Sequence, residues 1–156
     1  MAATREILKA SSLFESFSDD IIDRFLSSAE TRRYAAGEII FAELSEGNEI
    51  FMLLEGQATA EVALINADRN LEILTFSAGE VCGEGCFFEP NVPRYATLTA
   101  KTATLALVWQ SGAWREIAES NFEVGYRLAV GIMRIFLERL RRWNVRIAEN
   151  ISWGLD

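Results

Sequence analysis

Two side chains of opposite charge, Glu84 and Arg94, stand ten positions apart in the segment GEGCFFEPNVPRYAT, residues 83–97. Gly83 and Gly85 flank the acid, and glycines let main-chain amides approach a ligand closely. A helical turn over residues 85–88 would leave free amides, which suit an anion. Arg94 offers a fork of donors that matches phosphate oxygens. Glu84 only accepts hydrogen bonds when ionised, which matches a sugar hydroxyl. The segment could therefore grip a ribose that carries a phosphate. The same two residues could also form an ion pair that merely closes the loop. The chemistry of the residues leaves both readings open.

The rest of the composition removes other chemistries. The chain of 156 residues has no histidine, so the commonest general base and the commonest transition-metal ligand are missing. Its two cysteines, Cys82 and Cys86, cannot complete a structural zinc site or a four-cysteine cluster within one chain. They are expected to be free, small, semi-buried residues rather than a redox switch. No metal and no enzyme activity are expected, because no pair of carboxylates can be placed in a pocket by spacing alone. The net charge is −8, which argues against nonspecific binding to nucleic acid or to an anionic membrane. The opening MAATREILKA is charged, and no apolar run approaches a bilayer span. A soluble cytoplasmic protein is expected.

The elements that must position the loop follow from periodicity. SFSDDIIDRFLSSAE reads as a helix that starts at Ser18, with Asp19 and Asp20 at its positive end and Phe17 packing on Ile22 as a staple. From about Thr31 short apolar runs recur: EIIFAE, EIFMLLE, QATAEVAL, LEILTFS, YATLTA and TATLALVWQ. Turn signals separate them, at Ala36-Gly37, Glu46-Gly47-Asn48, Glu55-Gly56, residues 66–70 and Ala78-Gly79. This spacing predicts an antiparallel sandwich or barrel. The last third reads as helix from about Trp114, with a break near Ser120-Asn121. Phe122, Tyr126, Ala129, Met133, Phe136, Leu140, Trp143 and Ile147 form a heptad seam. Beside it run Leu128, Ile132, Ile135, Arg139, Arg142 and Arg146. The expectation is that Leu128, Ile132 and Ile135 pack on the β domain while the seam meets the same helix of a second copy. The alternative buries both stripes within one subunit. Trp109, Trp114, Trp143 and Trp153 are expected to be packing groups, and Arg139 to Arg142 a solvated helix face.

At this point the chain resembles a family, the cyclic-nucleotide-binding domain, the β-roll shared by the bacterial catabolite activator protein, protein kinase A regulatory subunits and nucleotide-gated channels. The resemblance covers nearly the whole chain. It includes the AGE-I-F turn at Ala36–Phe41, the turn glycines Gly47 and Gly56, and GEGCFF…PRYAT, which is similar to the phosphate-binding cassette G-E-L-A-L…P-R-A-A-T. The resemblance implies a mainly β fold with flanking helices: an antiparallel β-roll of jelly-roll type, N-terminal helices and a long C-terminal dimer helix. As one domain over 1–156, it would have N-terminal helices in 1–30, the roll in 31–110 with the cassette in 82–97, and C-terminal helices in 113–150.

The same resemblance implies that Glu84 binds the ribose 2′-hydroxyl and Arg94 the cyclic phosphate. Gly83, Gly85 and Cys86 would form the turn whose amides help hold the sugar–phosphate, with Tyr95 and Ala96 following the arginine. An ungapped alignment puts Arg139 and Leu140 where the family contacts the purine, so Arg139 is the candidate base cap. Three positions depart from the pattern. Gly85 replaces an aliphatic residue, Cys86 replaces Ala or Gly, and Tyr95 replaces a small residue. A kept charged pair with changed neighbours is compatible with binding, with a different ligand, or with loss of the ligand. The expected function is a stand-alone sensor of a cyclic purine nucleotide, cAMP ahead of cGMP, that signals through a homodimer helix to an unknown protein partner. The alternative is a degenerate β-roll that binds no nucleotide and serves as a dimeric interaction scaffold. No DNA binding is expected, because the sequence stops at Asp156 without the residues of a helix-turn-helix domain.

Overall fold

The computed structural model describes residues 2–64 and 69–152. Helices α1 (Ala2–Ala10) and α2 (Asp19–Ser27) precede eight strands. These are β1 (Glu30–Tyr34), β2 (Ile39–Phe41), β3 (Glu49–Glu55), β4 (Gln57–Ala63), β5 (Asn70–Ser77), β6 (Val81–Cys82), β7 (Thr97–Ala100) and β8 (Thr104–Gln110). A 3-10 turn (Glu84–Phe87) interrupts them after β6. Helices α3 (Ser111–Ser120) and α4 (Phe122–Ser152) close the described chain. All strand pairs are antiparallel, in two sheets of order β1-β8-β3-β6 and β2-β7-β4-β5. This is the expected β-roll between helices. The turn expected over 66–70 lies mostly outside the described residues, as do the side chain of Arg146 and Trp153.

The runs EIFMLLE and TLALVWQ are nearly all apolar because the sheet that contains them is buried on both faces. Side chains alternate across a strand. On β3, Ile50, Met52 and Leu54 enter a core beneath the helices, while Phe51 and Leu53 enter the interior of the roll. On β8, Leu107 and Trp109 take the helix side, and Ala106 and Val108 the roll side. The helix-side core is aromatic. Phe14, Phe25, Trp109 and Trp114 meet edge to face or stacked, and Trp109 Nε1 donates to Phe25 O at 2.7 Å. Trp109 and Trp114 are thus the packing groups expected of them.

α2 starts after Ser18, whose carbonyl accepts from Ile22 N at 3.0 Å, although its hydroxyl makes no cap hydrogen bond. α3 starts at Ser111, three residues before the periodicity becomes visible at Trp114. The break before α4 is a side-chain cap: Asn121 Oδ1 accepts from Glu123 N at 3.0 Å and from Val124 N at 3.3 Å. Leu128 and Ile132 are fully buried in the helix-side core, with Ile135 packed at its edge. The heptad seam is not buried within the subunit. Phe122, Tyr126, Met133 and Leu140 are all at least half exposed, so the arrangement with both stripes covered by one chain is not the one formed.

The Asn121 cap makes a direct prediction. Asn121→Ala leaves two amides of the first turn without their acceptor and is expected to lower stability by about 1 kcal/mol. Asn121→Ser should retain most of it. Urea unfolding of the three proteins checks this; equal midpoints would rule the cap out.

Candidate functional site

The site grows out of the short strand β6. Val81 and Cys82 pair with Met52 and Phe51 of β3, which ties the cassette to the double-faced sheet. Gly83 follows at φ 76, a left-handed conformation that glycine adopts without steric cost. A Cβ there would lie 2.5 Å from Arg94 Nη1 and 2.9 Å from Glu49 O. The chain then enters the 3-10 turn, whose Cys86 carbonyl accepts from Arg115 Nη1 of α3 at 2.8 Å.

Arg94 is buried, with 6% of its surface exposed. Nη1 donates to Gly83 O at 3.1 Å and Nη2 to Glu49 O at 2.8 Å. Its Cζ lies 4.4 Å from the centroid of the Phe41 ring. Its Nε has no hydrogen-bond partner and sits against Gly47, where a Cβ would come within 2.0 Å. No carboxylate lies within ion-pair distance of Arg94 among the described residues. The backbone is fixed as well. Arg94 N donates to Ser45 O at 2.9 Å, and Leu44 N donates to Arg94 O at 2.8 Å.

Glu84 is 1% exposed and pairs with Arg139 of α4, through Oε1 and Nη1. The ion pair considered between Glu84 and Arg94 is therefore not formed; each charge has other partners. Arg139 also donates through Nη2 to Val81 O, and its Cζ lies 4.9 Å from the centroid of Phe76. The second carboxylate oxygen of Glu84, Oε2, is buried and has no hydrogen-bond partner. Burial pushes the Glu84 carboxyl above the usual carboxylate range, against the opposing pull of Arg139 and, more weakly, Arg94.

These groups meet at a cavity of about 510 Å³ between the cassette, β5 and α4. Gly83, Glu84, Gly85, Arg94, Tyr95, Ala96 and Arg139 all line it. Cys86 does not. Its side chain is fully buried in the helix-side core, with Sγ 3.1 Å from Gly83 O, so the thiol at this position does not narrow the cavity. Cys82 is buried too and lines the cavity, and burial pushes its thiol up to about 12. Both cysteines are free and more deeply buried than expected. Tyr95 is 71% exposed at the rim and does not fill the cavity. A Cβ on Gly85 would be in ordinary contact with the Tyr95 ring at 3.7 Å. Sequence reasoning missed the aromatic walls Phe41, Phe76 and Phe136. It also treated Trp143 as packing, whereas it lines the cavity. The heptad pattern flagged residues 136, 140 and 143 as apolar, and the structure places all three along this cavity.

The cyclic nucleotide-binding domain family matches residues 31–121, more than half of the chain. No curated protein sequence gives a match. Among solved structures, a cyclic nucleotide-binding domain from Methylobacillus flagellatus is similar at 19% identity and TM-score 0.81, over 96% of this chain and 83% of that one. The catabolite activator protein of Thermus thermophilus is similar at 19% identity and TM-score 0.74, over 91% of this chain and 63% of that one. The regulatory domain of Toxoplasma gondii PKA, crystallised with cAMP, is similar at 20% identity and TM-score 0.67, over 74% of this chain and 43% of that one. At these identities the structures show a shared fold. With the family match and the cassette geometry, the chain belongs to the cyclic nucleotide-binding domain family.

Proposed function

We propose that this chain is a ligand-sensing regulatory domain that binds a cyclic purine nucleotide in the cavity between the cassette and α4. The phosphate lies on Arg94 and the ribose 2′-hydroxyl on Glu84. One observation carries the reading: Arg94 is a buried cation in the cavity wall without a carboxylate partner among the described residues. Taking a charge out of water costs several kcal/mol unless an opposite charge or good hydrogen bonds compensate it. Two of the five guanidinium donors are engaged by carbonyls. An anionic phosphate supplies the missing charge.

The cavity size supports a small ligand, since such sites typically span about 300–1,000 Å³. The aromatic walls Phe136 and Trp143 suit a flat base. Adenine has fewer polar groups to bury than guanine in this largely apolar part of the cavity, which favours cAMP over cGMP. The Toxoplasma relative crystallised with cAMP supports the ligand class. Signalling runs through α4, whose exposed seam offers a surface for a second copy. The ligand shifts α4 only if it binds two placements of the helix unequally.

Calorimetric titration with cAMP and cGMP tests the proposal. Arg94→Ala should weaken binding by about 30-fold or more, the usual loss when one partner of a buried charge contact is removed. No heat with either nucleotide at millimolar concentration, from a folded sample, would leave the dimeric interaction scaffold as the better reading. Gly47→Ala supplies an independent check. Its methyl group must displace the Arg94 guanidinium, so it should weaken binding of both nucleotides by a similar factor while the protein stays folded by circular dichroism. Full affinity in Gly47→Ala would mean that the Arg94 position does not matter.

A further inference from the structure

We propose that Arg115 is a positioning residue of the phosphate site: from α3, and through Cys86, it sets the two carbonyls that seat Arg94. This rests on the reading of Arg94 as the phosphate contact and deepens it. The carbonyl of Gly83 accepts from two side chains, Arg94 Nη1 at 3.1 Å and Cys86 Sγ at 3.1 Å. The carbonyl of Glu49 accepts from Arg94 Nη2 at 2.8 Å, and Cys86 Sγ lies 3.7 Å from it. Both acceptors of the guanidinium therefore have the same thiol behind them. A carbonyl oxygen has two lone pairs and can serve both donors at once. The thiol is a weak donor, but it is fully buried, so any shift of Cys86 is felt by the two carbonyls packed against it.

The main chain of Cys86 is held from α3. Arg115 Nη1 donates to Cys86 O at 2.8 Å and to Ser111 Oγ at 3.1 Å. Ser111 is itself buried, and its amide donates to Asn48 O at 2.6 Å. Arg115 thus stands on a turn of α3 that is fixed to residue 48, and residue 49 carries one of the two carbonyls. The contacts close a ring around the seat of Arg94. Hydrogen bonds from a charged donor are roughly twice as strong as neutral ones. Arg115 makes no ion pair among the described residues that would draw it elsewhere. The 3-10 turn of residues 84–87 is short, and such turns have poor hydrogen-bond geometry of their own. The bond from Arg115 to Cys86 O therefore holds the turn, and the thiol with it, in register with Arg94.

The test is calorimetric titration of the full chain with cAMP in two backgrounds, the wild type and Arg94→Lys. With Arg94 present, Arg115→Gln should weaken binding by about tenfold, the low end for a lost hydrogen bond to a charged group. Arg115→Lys should recover part of that loss. In Arg94→Lys the fork that the two carbonyls seat is gone, so Arg115→Gln should change the affinity little. No loss with Arg94 present overturns the positioning role. So does an equal loss in both backgrounds, which is the mark of a merely structural residue. If Arg115→Gln does not fold, Cys86→Ala decides: a loss confined to the Arg94 background supports the role, and no loss or an equal loss overturns it. If Arg94→Lys gives no heat with cAMP, urea unfolding of the same four proteins decides. Stability losses that fall short of additive support the role, and additive losses overturn it. A wild type that binds neither cAMP nor cGMP overturns the ligand reading, and the seat of Arg94 is then judged by the same unfolding cycle.

Discussion

Removing a guanidinium from water is costly unless its donors find acceptors, and at Arg94 the acceptors are main-chain carbonyls instead of a carboxylate. Much of the central architecture follows from that. The carbonyls of Gly83 and Glu49 must point at one spot, which fixes the end of β6 against the start of β3. The guanidinium lies over Phe41 and against Gly47 and Gly83, both too close to accept a Cβ. Residues 41–49 and the two ends of the cassette, at 83 and 94, are therefore arranged about one cation. Asn48 and Asn91 add a further tie, with Asn91 N donating to Asn48 Oδ1 at 2.9 Å. An alanine at 94 would leave the two carbonyls and the ring without the group they surround.

The frame that bears this arrangement is the sheet shared by two cores. Because β3 and β8 are apolar on both faces, the roll cannot shift against the helices without disturbing packing on each side. α4 meets that frame unevenly. Its first half is anchored by Val124, Leu128 and Ile132 in the helix-side core. Beyond Phe136 it leaves the core and covers the cavity with Leu140 and Trp143, both more than a third exposed. Arg139 is the polar tie of that second half to the cassette. Segments with few buried contacts open at low free energy, so the half of α4 over the cavity is the part that a ligand can most readily move.

The sequence made the strands and the helix break legible because each rests on local chemistry: apolar runs between glycine turns, and an asparagine that caps its own helix. The paired charges of the cassette were legible from type and spacing. Their partners were not. Glu84 and Arg94 look complementary at ten residues apart, yet the acid finds an arginine 55 residues later on another element. Opposite charges in one loop imply a pair only if the loop can bring them together, and here the left-handed Gly83 and the 3-10 turn send the acid toward α4. Arg139 was legible as a residue of the cavity but its pairing with Glu84 was not, because an ungapped alignment gives an address without the neighbours that a guanidinium meets there. Cys86 illustrates the opposite error. Gly83, Glu84 and Gly85 before it line the cavity, but a 3-10 turn rotates each successive side chain by about a third of a turn, and this thiol points into the helix-side core.

The two stripes of α4 give the proposed ligand a physical route to an output. One stripe holds the helix to the roll, and the seam presents exposed apolar residues, the surface on which the proposed second copy would pack. Phe136, Leu140 and Trp143 belong to the seam and to the cavity wall at the same time. A base packed against them and a partner helix packed against them therefore draw on the same side chains. Binding free energies linked in this way are reciprocal: if the nucleotide favours a placement of α4 that pairs better, pairing must strengthen nucleotide binding by the same factor. If base and partner compete for those rings, each weakens the other by the same factor. On the proposed reading, the sign depends on how Leu140 and Trp143 divide their faces between cavity and seam.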